Sequence, residues 1–199
     1  MGAKCWFLLQ SAEIPRTVLH GDLRLDVAAT DRLAAAIGGG TPRYEGGSDL
    51  MTYSDPRLGR GAFAVIGPVQ ILATEAVALD RPSELEQRYL DAAAGRQTFL
   101  FAMHSVVDYG AFAWWDAAGT LKRSISASAE HGIVENIGTA LPFESQLDEM
   151  AEYPDGYPVP FHPLDMVECA LAEYAGFCYE GIPAADAPDP EYIPVRIYA

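Results

Sequence analysis

Three residues that could do chemistry stand close together at the end of an apolar segment: His104, Ser105 and Asp108. A histidine at a rigid strand end can act as a general base when a carboxylate orients its ring, and a serine or a water can then be the nucleophile. Asp108 or Glu135 is the candidate for the orienting carboxylate. One interpretation of the sequence is therefore a small hydrolase-like enzyme that uses His104 as its general base.

The same residues also have a structural interpretation. A histidine flanked by Ala102 and Val106 is typical of a buried side chain with hydrogen-bonded ring nitrogens, and an aspartate that follows it can cap a turn. The segment lacks the Gly-x-Ser-x-Gly turn that presents the nucleophile in α/β-hydrolases. Because no catalytic or cofactor motif is recognisable, the leading prediction is a non-enzymatic binding or protein-interaction protein.

A second set of residues is a candidate ligand pocket, and it comprises His131, Glu144, His162 and Trp114. His131, with Glu130 before it and Glu135 after it, has the side-chain types that bind a divalent metal. The four histidines form no His-x-His or His-x-x-x-His pair, so we predict no metal site. Trp114 and Trp115 are neighbours on a predicted strand and must point to opposite faces, so one of them could line a pocket.

The composition limits the partners. Asp and Glu total 28 against 13 Lys and Arg, which gives a formal net charge of -15. A field of that sign repels nucleic acids and anionic membranes, so we expect neither as a partner. The apolar run Cys5–Leu9 is too short for a signal peptide or a membrane span, and three cysteines form no Cys-x-x-Cys motif. We predict a soluble cytoplasmic protein whose partner is an unknown protein or small molecule, with a homodimer as one form of that interaction.

The elements that must position these residues follow from hydrophobic spacing. An apolar run over 4–10 predicts a central strand, and Asp26 to Ile37 predicts a helix. Ser83 and Glu86 have the spacing of a capping box, which predicts a helix that ends at Gly95. Three strands over 98–106, 111–116 and 120–126 predict an antiparallel meander. Two further strands over 62–66 and 69–78, a short helix over 144–152 and a helix from Pro163 to Gly181 complete the set.

The glycine-rich stretch 38–61 is predicted to be a long surface loop, and such loops are often functional. Its glycines end at Ser48-Asp49 without the lysine of a phosphate-binding loop, so we predict no nucleotide and no cofactor. The expected fold is α+β, a mostly antiparallel, possibly mixed sheet flanked by about three helices. We expect one domain over 1–181, followed by a proline-rich acidic tail over 182–199 that ends in an edge strand.

Several strings resemble an uncharacterised bacterial family of unknown function. They are Met1–Lys4, Arg81–Leu85, Ala102–Asp108, Gly132–Gly138 with Leu141–Glu144, and Pro160–Leu164. The resemblance spans most of the chain and implies kinship, but no activity, cofactor or catalytic residue. One departure is Tyr109-Gly110, where the resemblance implies bulkier aromatic residues.

Overall fold

The computed structural model of the protein describes residues 3–21, 23–147, 157–180 and 186–199. Nine strands of this described part form one sheet in which every neighbouring pair is antiparallel. The strands are β1 (Lys4–Ser11), β2 (Tyr44–Asp49), β3 (Gly61–Ile66), β4 (Val69–Thr74), β5 (Gln97–His104), β6 (Tyr109–Trp115), β7 (Leu121–Ser128), β8 (Gly132–Gly138) and β9 (Pro194–Tyr198). Their order across the sheet is β2-β9-β3-β4-β1-β5-β6-β7-β8.

The strand β1 lies in the middle of the sheet, between β4 and β5, as predicted. Cys5, Phe7 and Leu9 are fully buried on one face, and Leu8 is fully buried on the other. A strand that is apolar without alternation is typical of a strand covered on both faces. The position of β1 therefore follows directly from its composition.

Three α-helices in the described residues flank the sheet: α1 (Val27–Gly38), α2 (Gln87–Ala93) and α3 (Pro163–Ala170). They confirm the predicted α+β fold. The Asp26 side chain accepts the Ala29 N–H at the start of α1, and Gly39, with φ 69°, ends it. α3 continues through a π-helical turn and ends at Gly176, before the predicted Gly181.

The capping box predicted for α2 does not form. Ser83 lies in a 3-10 turn, Pro82–Glu84, and its N–H and hydroxyl donate to the Glu135 carboxylate instead. Glu86 occupies the N-cap position itself, so α2 begins at Gln87. A tertiary contact has replaced the local one.

The two faces of the sheet are covered by different elements. α3 packs on one face, with Met166, Val167 and Ala170 in the larger core, and we call this the α3 face. α1 and α2 pack on the other, where Leu33, Ile37 and Tyr89 join the second core, and we call this the α1–α2 face. No helix in the described ranges is long and apolar enough to cross a membrane.

Three segments differ from expectation. The stretch predicted as a surface loop contains β2, and the segment after β7 contains β8, so both edge strands were missed. β9 is not an edge strand, because it lies between β2 and β3, and its Val195 is 1 % exposed. Pro142–Gln146 forms a 3-10 turn where a helix was expected to begin, and residues 148–152 of that prediction lie outside the described residues.

Candidate functional site

His104 is the last residue of β5 and pairs across the sheet with Lys4 and Tyr109. Its neighbours Leu100 and Ala102 belong to the core of the α1–α2 face. Because side chains alternate along a strand, His104 points to that face as well. The residue is partly exposed and does not belong to either core.

Asp108 belongs to the opposite face. Its carboxylate oxygen Oδ1 lies 3.8 Å from Nε2 of His162, the residue that precedes α3. The His162 Nδ1 accepts the Leu164 N–H, so the ring is held between the helix start and the aspartate. Ser105 begins a 3-10 turn and donates its N–H to the Ala3 carbonyl. The sheet therefore separates His104 from the aspartate expected to orient it.

Glu135 lies on β8, a segment for which no strand was predicted. β8 is three strands away from β5, which corresponds to about 14 Å. Glu135 is 5 % exposed and accepts hydrogen bonds from Ser83, so it anchors the segment that leads into α2. Ser126 strengthens this anchor by donating to the Asp80 carbonyl at 2.6 Å, and the Tyr109 hydroxyl donates to the Leu79 carbonyl.

The residues of the expected ligand pocket are also dispersed. The His131 ring lies 3.3 Å from the Ser128 hydroxyl, whereas Glu144 binds Arg123. Trp114 stacks on Phe99 and donates to the Gln97 side chain at 3.0 Å. Within the described ranges, no three His, Cys, Asp or Glu side chains are placed to hold a metal ion. Apart from the pair His162–Asp108, these contacts connect each candidate to residues outside the predicted sites.

A different feature has the dimensions of a binding site. A cleft of about 520 Å³ opens on the α1–α2 face, between the end of α1, the start of α2 and the strands β3, β4 and β9. We call it the α1–α2 cleft, and its apolar wall comprises Ala34, Ile37, Leu58, Phe63, Ala76 and Tyr198. Ligand pockets in proteins have volumes of roughly 300–1,000 Å³ and are mostly apolar with a few placed polar groups.

The floor of the cleft carries two oriented tyrosines. The Tyr89 hydroxyl and the Thr74 hydroxyl are 2.8 Å apart. The Tyr198 hydroxyl donates to the Asp31 carboxylate and accepts from Arg196 Nε at 2.8 Å. Burial, together with the bond to Asp31, raises the pKa of Tyr198 further above its ordinary value, and a tyrosine hydroxyl is protonated at neutral pH already at that ordinary value. The Tyr198 hydroxyl in the floor is therefore uncharged, and both tyrosine hydroxyls have hydrogen-bond partners.

Two arginines line the rim. Arg60 Nε lies 2.8 Å from a carboxylate oxygen of Glu45. Arg88 donates to the Ile37 carbonyl at the end of α1 and to Glu86. Both arginine side chains are partly exposed, at 44 % and 46 %. The cleft thus combines an apolar floor with cationic groups at its opening.

Glycines shape the space. A Cβ at Gly61 would lie 2.5 Å from the Phe63 ring, so only glycine lets that ring lie along β3 in the floor. At Gly38 and Gly40, which also line the cleft, a Cβ would meet nothing within 4 Å. The glycine-rich composition of residues 38–61 was thus a usable signal for this site, although the loop prediction placed no ligand there.

The chain matches the model of DUF6928, a family of unknown function, over residues 5–198. It belongs to this family. The match confirms the kinship expected from the sequence strings. Neither a curated protein nor a solved structure matches the chain.

In this DUF6928 member, Gly110 stands where a bulkier aromatic residue was expected, and the reason is steric. A Cβ at Gly110 would overlap the Pro163 carbonyl and approach a methyl group of Val167 at 3.0 Å. β6 and α3 therefore touch at this glycine, and a bulky residue at position 110 could not be accommodated.

Proposed function

We propose that this DUF6928 protein binds a small, mainly apolar molecule in the α1–α2 cleft. The observation that carries the proposal is the 520 Å³ space with an apolar wall, oriented hydroxyl groups in its floor and arginines at its rim. This is the small-molecule form of the binding function predicted from the sequence. We also propose a cytoplasmic location, supported by three free cysteines and by the acidic composition.

The hydrolase alternative has no comparable support. A general base must lie within hydrogen-bond reach of its partners, and His104 has neither Asp108 nor Glu135 in contact. Asp108 contacts His162 on the α3 face, and Glu135 binds Ser83. We therefore favour binding over catalysis.

The test uses N-phenyl-1-naphthylamine, a neutral apolar fluorophore whose emission rises when it leaves water. We expect a saturable increase in its fluorescence with the wild-type protein. The Gly38→Phe variant should abolish it, because the new ring fills open space in the cleft without requiring an unusual backbone conformation. Gly46→Phe is the matched control, since a Cβ at Gly46 also meets nothing within 4 Å but the residue lies on β2, outside the cleft.

Circular dichroism first establishes that both variants are folded, and Gly40→Phe replaces Gly38→Phe if the latter is not. Equal binding of the fluorophore by the wild type and by a folded cleft-filling variant would overturn the proposal. So would a wild-type protein that shows no saturable binding.

A further inference from the structure

We propose that the ligand of the α1–α2 cleft is an amphipathic oxyanion, whose carboxylate or phosphate group binds to the guanidinium of Arg60. This inference rests on the proposed function and specifies the chemical class of the ligand. It derives from the way in which Arg60 is held, from the charges around the cleft, and from an exposed leucine at its rim.

The guanidinium of Arg60 is held at one end and free at the other. Its Nε faces Glu45 at 2.8 Å, whereas its two terminal nitrogens make no hydrogen bond with any residue in the described ranges. A guanidinium has five N–H donors, and the pair of terminal nitrogens forms the fork that binds a carboxylate or phosphate through two parallel hydrogen bonds. The unused donors of Arg60 are thus the ones best suited to an oxyanion.

The ion pair with Glu45 orients Arg60 without a ligand. Glu45 Oε2 faces Arg60, and its other oxygen, Oε1, accepts a hydrogen bond from Arg43 at 2.7 Å. The Glu45 side chain is only 19 % exposed. Since two arginines share one carboxylate, this point of the rim keeps an excess positive charge. A preorganised cation of this kind binds an anion at a smaller entropic cost than a free arginine does.

Cationic groups line the cleft although the protein as a whole is acidic. Arg60 and Arg88 line it together with one acidic side chain, Glu75, and each arginine also faces a glutamate beside the cleft, Glu45 and Glu86. The chain as a whole carries a net charge of -15, which repels anions at long range. A preference for an anion over a cation would therefore have to come from these local arginines.

An apolar part of the ligand is indicated by Leu58. This side chain is 85 % exposed, although it lies at the rim of an apolar cleft and only two residues before Arg60. A ligand with an oxyanion at Arg60 and an apolar chain that runs toward Phe63 and Ile37 would cover Leu58. Such a ligand would account for both the unused donors of Arg60 and the exposure of Leu58. A simple inorganic anion would leave the apolar wall in contact with water.

The experiment measures displacement of N-phenyl-1-naphthylamine by four compounds with eight carbon atoms each: octanoate, octyl phosphate, 1-octanol and octylamine. We expect the two anions to displace the fluorophore at lower concentration than the alcohol or the amine does. Arg60→Gln should lower the affinity for the more tightly bound anion by about tenfold, which corresponds to the loss of one charge-assisted contact. The variant should leave the affinity for 1-octanol unchanged. Arg57→Gln is the control, because it removes the same charge from an exposed position outside the cleft.

The comparison of the two anions identifies whether the cleft prefers a carboxylate or a phosphate. Equal displacement by anion, alcohol and amine, or an Arg60→Gln variant with unchanged anion affinity, would overturn this inference. If Gly38→Phe still abolished fluorophore binding, the proposed binding function would stand and only the oxyanion class of the ligand would be wrong. If the wild-type protein did not bind the fluorophore at all, both proposals would be wrong.

Discussion

Glu144 binds Arg123 through both of its carboxylate oxygens, at 2.7 and 2.6 Å, and the two side chains are only 10 % and 2 % exposed. Arg123 also donates to the Asn136 side chain and to the Ile137 carbonyl, so β7, β8 and the 3-10 turn that carries Glu144 meet at one guanidinium. A buried charge of this kind is stable only while it is paired.

Glu144→Ala should therefore destabilise the protein strongly. Removal of one partner of a buried ion pair costs about 3–5 kcal/mol, because the remaining charge stays unpaired away from water. Urea unfolding monitored by circular dichroism measures this loss. In the double variant Arg123→Met/Glu144→Leu, where no charge is left, much of the stability should return. A Glu144→Ala variant as stable as the wild type would contradict the structure at this position.

A second prediction concerns the pH dependence of stability. Burial raises the pKa of Glu168 from 4.5 to about 7, against the effect of the Tyr179 and Glu180 N–H groups that donate to it. The folded state then binds this proton more tightly than the unfolded state does. Its contribution to stability is present below pH 4.5 and is lost as the pH rises through about 7.

The loss from this one group is at most about 3 kcal/mol. Glu168→Gln should remove it, because an amide oxygen in the place of Oε1 can still accept both the Tyr179 and the Glu180 N–H groups. The measurement is the free energy of unfolding across this pH range for the wild type and the variant. Only the difference between the two curves is attributed to Glu168, since other groups titrate as well. Parallel curves would contradict the prediction.

Gly110→Ala should destabilise the contact between β6 and α3. The added methyl group would overlap the Pro163 carbonyl, and backbone shifts of this kind cost about 1–3 kcal/mol or more. Thermal unfolding of Gly110→Ala beside Gly46→Ala measures the effect, since Gly46 has open space around its Cα. Equal melting temperatures of the two variants would contradict the close contact between Gly110 and α3.

Leu58→Ser should weaken binding in the cleft without changing the stability of the protein. The side chain is 85 % exposed, so its replacement should change the free energy of unfolding by less than about 0.5 kcal/mol. If the ligand covers about half of the leucine, affinity for N-phenyl-1-naphthylamine should fall by roughly fivefold, which corresponds to about 1 kcal/mol of lost apolar burial. Fluorescence titration measures the affinity. A strongly destabilised variant, or one with unchanged affinity, would contradict the assignment of Leu58 to the cleft rim.

The sequence by itself determined those elements whose signals are local. The unbroken apolar run of β1 required cover on both faces, and the structure has β1 in the centre of the sheet. Apolar spacing predicted α1 over Asp26 to Ile37, and Pro163 marked the start of α3, because both signals involve only neighbouring residues. The short connections from β5 to β7 likewise predicted the antiparallel meander.

The tertiary structure alone decided the edges of the sheet and the site. β2 is glycine-rich and β8 largely exposed, so neither has a strong strand signal, and both form because β9 and β7 offer them backbone partners. Strand alternation puts His104 on the α1–α2 face, whereas the turn after β5 carries Asp108 to His162 at the start of α3, although only four positions separate the two residues in the chain. The cleft brings Gly38, Arg60, Arg88 and Tyr198 together from four distant segments. Such a meeting depends on how strands pair across the whole chain, which no local pattern of residues specifies.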